Sequence, residues 1–203
     1  MKYALYVGLD APKRHDVNVI HIPLIKIAPK PPHELKTQFE KLNKATHIIV
    51  TSKSTVAIAK EHFQLHPAQF ISVGSATTKQ LLAIGIQNIL TAKNECQEGI
   101  IQLIEELQPK SPFFFWPHSS LSRPILSQYF TQKNYRFIEC SLYDTHFLSP
   151  EVNIDLQTIN EIHFTSPSTV DAFFAHFGTP PAHITLHTIG PITKDRLIQC
   201  IKL

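Results

Sequence analysis

Glycine is the first shortage. The 203 residues contain six, at positions 8, 74, 85, 99, 178 and 190, and the closest two are 11 residues apart. That spacing excludes both the GxGxxG dinucleotide fingerprint and a GxxxxGK[ST] phosphate loop. Cysteine is scarcer still. Cys96, Cys140 and Cys200 are odd in number and form no CxxC, which excludes a disulfide scaffold or a cysteine zinc site and points to a reducing, cytoplasmic compartment. Charged residues make up 17% and hydrophobic ones 43%. Against a usual charged share of ~25%, this excludes a mainly disordered or coiled-coil chain. No run of five Lys or Arg occurs and the formal charge is only +3, so no nucleic acid is expected as partner. A mild positive balance suits an anionic small molecule. The longest purely aliphatic or aromatic run is Tyr3–Val7, far short of the ~20 residues of a membrane helix, so no membrane partner is expected either. The opening MKYALYVGLDAPKR reads as a first strand and not as a secretory signal.

Catalytic signatures are missing too. There is no GxSxG elbow, HExxH or SxxK. Twelve histidines are present, and His62/His66 and His183/His187 have i, i+4 spacing. Neither pair has an acidic third ligand in a recognisable pattern, and the second falls on an expected strand, so no metal is expected.

What the chain does have is alternation. Short β-rich runs at 3–9, 17–23, 47–51, 69–73, 88–90, 113–116, 135–139, 161–165 and 184–188 are separated by amphipathic stretches at 33–42, 54–63, 76–84, 97–107, 121–130, 168–177 and 192–201. This predicts an α/β fold with parallel sheets. Pro29-Lys30-Pro31-Pro32 reads as a stiff extended connector.

It also has a repeat. Thr51-Ser52-Lys53-Ser54-Thr55-Val56 recurs 114 positions later as Thr165-Ser166-Pro167-Ser168-Thr169-Val170, and eight of 16 positions match between 48–63 and 162–177. A second echo pairs Ile71–Thr77 with His187–Thr193 at an offset of 116. Two strand–turn–helix units repeated in order predict two similar α/β domains. The expected division is a split domain of 1–18 and 148–203, a continuous domain of 33–134, and a two-stranded β tether from 19–32 and 135–147. In the tether, Val19–Ile22 and Arg136–Cys140 supply the strand character.

Each repeated turn ends a strand with hydroxyl residues and opens a helix with them. Such residues cap free N–H groups, and the same groups at the positive end of the helix dipole bind anions. Thr51–Thr55, Gly74–Thr77, Thr165–Thr169 and Gly190–Thr193 therefore read either as simple caps or as cradles for carboxylate or phosphate around a shared interdomain cleft. From these turns Thr51, Ser52, Ser168 and the backbone of Ser75 are candidate contacts. A fifth turn, Trp116–Arg123, offers Arg123, either as a bidentate carboxylate ligand or as a solvated helix residue. Tyr143, just past the second tether segment, reads equally as a hydrogen-bond donor into the cleft and as an aromatic anchor.

The strings Phe164–Val170, Thr188–Thr193, Ser72–Thr77, Val50-Thr51-Ser52, Tyr143-Asp144-Thr145 and Ile22–Ile25 together resemble the uroporphyrinogen-III synthase family. The resemblance implies two α/β domains on a two-stranded tether. It also implies a cofactor-independent hydro-lyase, expected to be a monomer, that cyclises hydroxymethylbilane to uroporphyrinogen III with loss of water and inversion of the terminal ring. It assigns assistance of hydroxyl departure to Tyr143 and substrate binding to Thr77, Ser166 and Thr193. Where the family has a full helix between its first two strands, this chain has only Asp10–Asp16, and Lys13-Arg14 is expected to contact substrate instead. The alternative is a non-catalytic two-lobed module binding an anionic small molecule. A transcriptional regulator is disfavoured by the lack of a basic recognition element.

Overall fold

The computed structural model describes residues 1–64, 66–150, 152 and 154–202; the expected limit of the split domain at 203 lies outside them. The chain divides into two compact units, Met1–Lys26 with Thr145–Leu203, and Ile27–Asp144.

The split unit contains β1 (Tyr3–Tyr6), β2 (Asn18–His21), β9 (Glu161–Phe164), α6 (Pro167–Phe177), β10 (Thr185–Thr188) and α7 (Pro191–Ile201). Its sheet has the order β10-β9-β1-β2, and every pairing is parallel. The continuous unit contains α1 (Pro32–Leu42), β4 (His47–Val50), α2 (Lys53–Phe63), β5 (Gln69–Ser72), α3 (Ser75–Ala83), β6 (Ile89–Thr91), α4 (Gln97–Leu107), β7 (Phe113–Ser119) and α5 (Ile125–Gln132). Here β8 (Arg136–Phe147) and β3 (Ile25–Pro29) complete a six-stranded sheet in the order β3-β8-β7-β4-β5-β6. Among the described residues, no helix is long and apolar enough to cross a membrane.

The repeat is built as the sequence offsets require. Both β4 with α2 and β9 with α6 are 114 residues apart, and both β5 with α3 and β10 with α7 begin 116 apart. The units differ in how their sheets are covered. In the continuous unit, Ile48, Phe70 and Phe115 join one apolar cluster, while Ile49, Ile71, Phe114 and Trp116 join another with side chains of α4 and α5. Successive side chains alternate faces, so a sheet covered on both sides requires near-continuous apolar strands such as HIIV and FFFW. The split unit has a single cluster, in which Leu5, Ile162 and Phe164 pack with Val170 and Phe173 of α6 and Leu197 of α7. Its strands β9 and β10 accordingly alternate, as EIHF and TLHT, while β1 buries Ala4, Leu5 and Tyr6 in succession. Counterparts of α4 and α5 are absent among its described residues.

Two expectations are corrected. The sequence pattern places Val19–Ile22 in the tether, but β2 pairs in parallel with β1, Val19 opposite Ala4 and Ile20 opposite Leu5. The tether strand is Ile25–Pro29 instead. Leu148 N–H bonds to Leu24 O (2.8 Å) and Lys30 N–H to Leu142 O (3.0 Å), a register that only antiparallel strands give. The helix expected from 121 begins at Ile125, because β7 continues through a bulge at His118/Ser119 and Pro124 forms the N-cap.

Candidate functional site

The hydroxyl-bearing turns follow the carboxyl ends of β4, β5, β9 and β10, where each strand hands over to a helix. At the first, Ser52 is extended (φ −157°, ψ 155°) and its Oγ accepts the Thr55 N–H at 3.0 Å, capping α2. The same Oγ is 3.0 Å from the Thr55 hydroxyl and 2.9 Å from the Tyr143 hydroxyl. Tyr143 stands on β8, only 5% exposed and packed in the core cluster with Val50, Val56 and Phe115. The ring of Tyr143 is thus a core anchor, and its hydroxyl meets the Ser52 turn. Thr51, beside Ser52, is half-buried.

At the second turn the peptide N–H and the hydroxyl of Ser75 both donate to Glu95 Oε1, at 2.8 and 3.0 Å. A side-chain carboxylate already sits on the first N–H of α3. A Cβ at Gly74 would collide with the Glu95 side chain, so glycine there permits the approach. Thr77, in the first turn of α3, is 4% exposed. Behind it, Ser72 Oγ, Thr78 Oγ1 and Thr91 Oγ1 form a chain with 2.7 Å links that ties the strand end to the helix.

In the split unit the third turn is arranged differently from its repeat. Ser166 is again extended (φ −162°, ψ 162°), but the hydroxyl of Thr169 accepts from the N–H groups of Thr165 and Ser166, each at 3.2 Å, and donates to Ser166 O at 2.7 Å. The hydroxyls of Ser166 and Ser168, both half-buried, lie 2.9 Å apart. Gly8, at the end of β1, runs so close that a Cβ there would collide with the Thr165 hydroxyl. At the fourth turn Gly190 has φ 76°, and Thr193 is 3% exposed in the first turn of α7.

Arg123 is committed within its own unit. Its two terminal nitrogens donate to the two carboxylate oxygens of Glu98 on α4, at 2.6 and 2.8 Å, the paired fork that guanidinium and carboxylate make best. This holds the Glu98 carboxyl down at about 2 and raises the guanidinium above its ordinary value. Arg14 is likewise engaged, by Asp16 and Glu161. Burial pushes the Cys140 thiol up to about 11, which removes it as a thiolate nucleophile. A hollow of about 440 Å³ lies not at the turns but near the amino ends of β7 and β8, by Tyr129, Lys133 and Tyr135.

A family model for uroporphyrinogen-III synthase HemD matches residues 10–200. The chain belongs to the uroporphyrinogen-III synthase family. The fold agrees with solved structures of two such synthases. A mutant uroporphyrinogen III synthase from the extremely thermophilic bacterium Thermus thermophilus superposes with a TM-score of 0.65 at 14% identity, over 98% of this chain and 89% of that one. The synthetase from Helicobacter pylori superposes with a TM-score of 0.61 at 15% identity, over 98% and 89%. No curated protein sequence matches. As a uroporphyrinogen-III synthase family member the chain is a cyclising lyase of tetrapyrrole biosynthesis, and the substrate of the family is hydroxymethylbilane.

The chemical offer of these turns is hydrogen-bond donors and helix N-termini, groups that suit an anion. Sequence reasoning placed Thr55 and Thr169 within the turns 51–55 and 165–169 without singling them out, and it missed Glu95. The first two were signalled by their identity across the repeat. Glu95 carried no signal, because its 20-residue separation from Ser75 follows from how the segment after β6 returns over α3.

Proposed function

We propose that hydroxymethylbilane is held by its carboxylates on the hydroxyl-bearing helix starts, and that Tyr143 assists departure of its hydroxyl. The observation that carries this reading is Glu95, whose carboxylate rests on the Ser75 N–H and hydroxyl. It stands in for a substrate carboxylate and supports the view that such a turn accepts one. Thr51, Ser52, Ser75, Thr77, Ser166, Ser168 and Thr193 are the proposed contacts, Thr77 and Thr193 being buried residues in the first turns of α3 and α7. Arg123 joins them only by exchanging Glu98 for substrate.

The chemistry needs little more. Once its hydroxyl leaves, the bilane is reactive, and the enzyme's task is to hold it so that the correct carbon is attacked. The hydrogen bonding around Ser52 orients Tyr143 for the remaining step. A serine oxygen accepts two hydrogen bonds and donates one. In the proposed arrangement the N–H and hydroxyl of Thr55 donate to Ser52 and Ser52 donates to Tyr143, which frees the phenol's own proton for the leaving hydroxyl. No cofactor enters this reading. The three free cysteines fit a reducing cytoplasm, and the proposed working form is the monomer.

The test is incubation with freshly made hydroxymethylbilane, followed by oxidation and separation of the porphyrin isomers. The type III isomer, formed faster than in the enzyme-free control, is expected. Type I alone, at the uncatalysed rate, would instead mark a binding module.

A further inference from the structure

The face of the split unit's sheet that no described helix of the unit covers carries a convergent set of side chains outside the proposed substrate contacts. Tyr6, His163 and His187 occupy matched positions on β1, β9 and β10. Their rings form a ladder: Tyr6 to His163 at 4.2 Å and 7°, His163 to His187 at 4.4 Å and 12°. Glu161, two residues before His163 on the same face, completes the set. Its Oε2 is 3.1 Å from His163 Nε2 and 3.9 Å from His187 Nε2, and all three ligand atoms lie within 4.8 Å of one another.

The repeat supplies an internal control. At the 114 and 116 offsets, His163 and His187 correspond to Ile49 and Ile71, both fully buried in the cluster that α4 and α5 join. Where helices cover the sheet, these positions are isoleucine; where no described helix of the unit does, they are histidine. Loss of cover accounts for polarity at these places but not for two imidazoles and a carboxylate converging on one point.

A cation already occupies that point. Arg14 Nη1 donates to Glu161 Oε2 at 2.9 Å and lies 3.3 Å from His163 Nε2. His163 Nε2 also lies 3.1 Å from Glu161 Oε2: with its proton it donates to the carboxylate, and without it accepts from the guanidinium. In the second tautomer two lone-pair atoms face one cation, as a metal would require. Arg14 also bonds through Nε to Asp16 at 3.0 Å, and so keeps a partner if it swings out of the site.

We propose that Glu161, His163 and His187 form a binding site for a divalent zinc-type ion, with Arg14 as the resident cation that the metal displaces. Zinc bonds of about 2.1 Å in a tetrahedron place ligand atoms about 3.4 Å apart. The 3.1 and 3.9 Å separations bracket that value. The remaining adjustment is a turn of His187 out of the stack, for which its 45% exposed side chain has room. Two imidazoles and one carboxylate select zinc, nickel or copper over magnesium or calcium.

The test is calorimetric titration of zinc chloride into the chelator-treated full chain, with His187→Ala, Arg14→Gln and His176→Ala beside the wild type. One tight ion per chain is expected, weakened at least tenfold by His187→Ala, tightened by Arg14→Gln and unchanged by His176→Ala. Absence of binding, equal affinity in His187→Ala, or Arg14→Gln binding no tighter than wild type would each overturn the proposal. Far-ultraviolet circular dichroism of the same samples separates loss of the site from loss of the fold.

Discussion

Tyr143→Phe and Ser52→Ala, made singly and together, test the one hydrogen bond that joins the core to the proposed chemistry. Tyr143→Phe leaves the ring in its buried seat and removes only the 2.9 Å bond to Ser52 Oγ. A net hydrogen bond is worth about 0.5–1.5 kcal/mol. For a chain of this size, Tm falls by roughly 2–4 °C per kcal/mol. Ser52→Ala removes the same bond together with the cap on Thr55 N–H, which adds about 1 kcal/mol, so it is the more destabilising of the two. The double variant should lose less than the sum of the singles, by the energy of the shared bond. Thermal melts give the stability arm. For the rate arm, kcat for type III product is compared across the four proteins. If Tyr143 donates to the departing hydroxyl, Tyr143→Phe removes at least one such bond from the transition state, a fall of roughly twofold to tenfold or more. Ser52→Ala lowers kcat by less, because it only misdirects the phenol. Unchanged kcat in Tyr143→Phe, or strictly additive stability losses, would refute the argument.

Other outcomes follow from the same geometry. Glu95→Gln removes the charge competing for the α3 N-terminus, so KM for hydroxymethylbilane should fall by roughly twofold to fivefold, the worth of a charge at a helix start. Ser166→Ala and Ser168→Ala should each raise KM severalfold with Tm little changed, read from initial rates and melts. Glu98, held at about 2 against an ordinary 4.5, contributes stability that is present above 4.5 and lost as pH falls through about 2. Wild type should therefore exceed Glu98→Gln in Tm at neutral pH, and the gap should close in acid. With the carboxylate 45% exposed, the difference should be under about 1 kcal/mol.

Much of the fold was legible because the repeat is carried by residues with local jobs. Ser52 and Ser166 end their strands in the same extended conformation, and Thr55 and Thr169, both fully buried, lock the turns that follow. Short-range chemistry of this kind survives in sequence. Long-range partners do not. Nothing near Arg123 names Glu98, and nothing near Ser75 names Glu95, since both pairings depend on where α4 and the segment before it return. The Val19–Ile22 strand was legible as a strand but not as a neighbour of β1, because the loop joining them has lost the helix that usually marks a parallel crossover. The alternating EIHF and TLHT strands did carry a readable signal of a half-covered sheet, set against HIIV and QFIS in the other unit.

The central claim is that helix starts bearing hydroxyls receive the carboxylates of the bilane. A crystal structure with uroporphyrinogen III bound tests it most directly. The account predicts product carboxylates within hydrogen-bond distance of the Ser75 N–H and hydroxyl, with Glu95 displaced, and of the Ser166–Ser168 pair. Product held only by lysine and arginine side chains, with Glu95 still seated on Ser75, would contradict it.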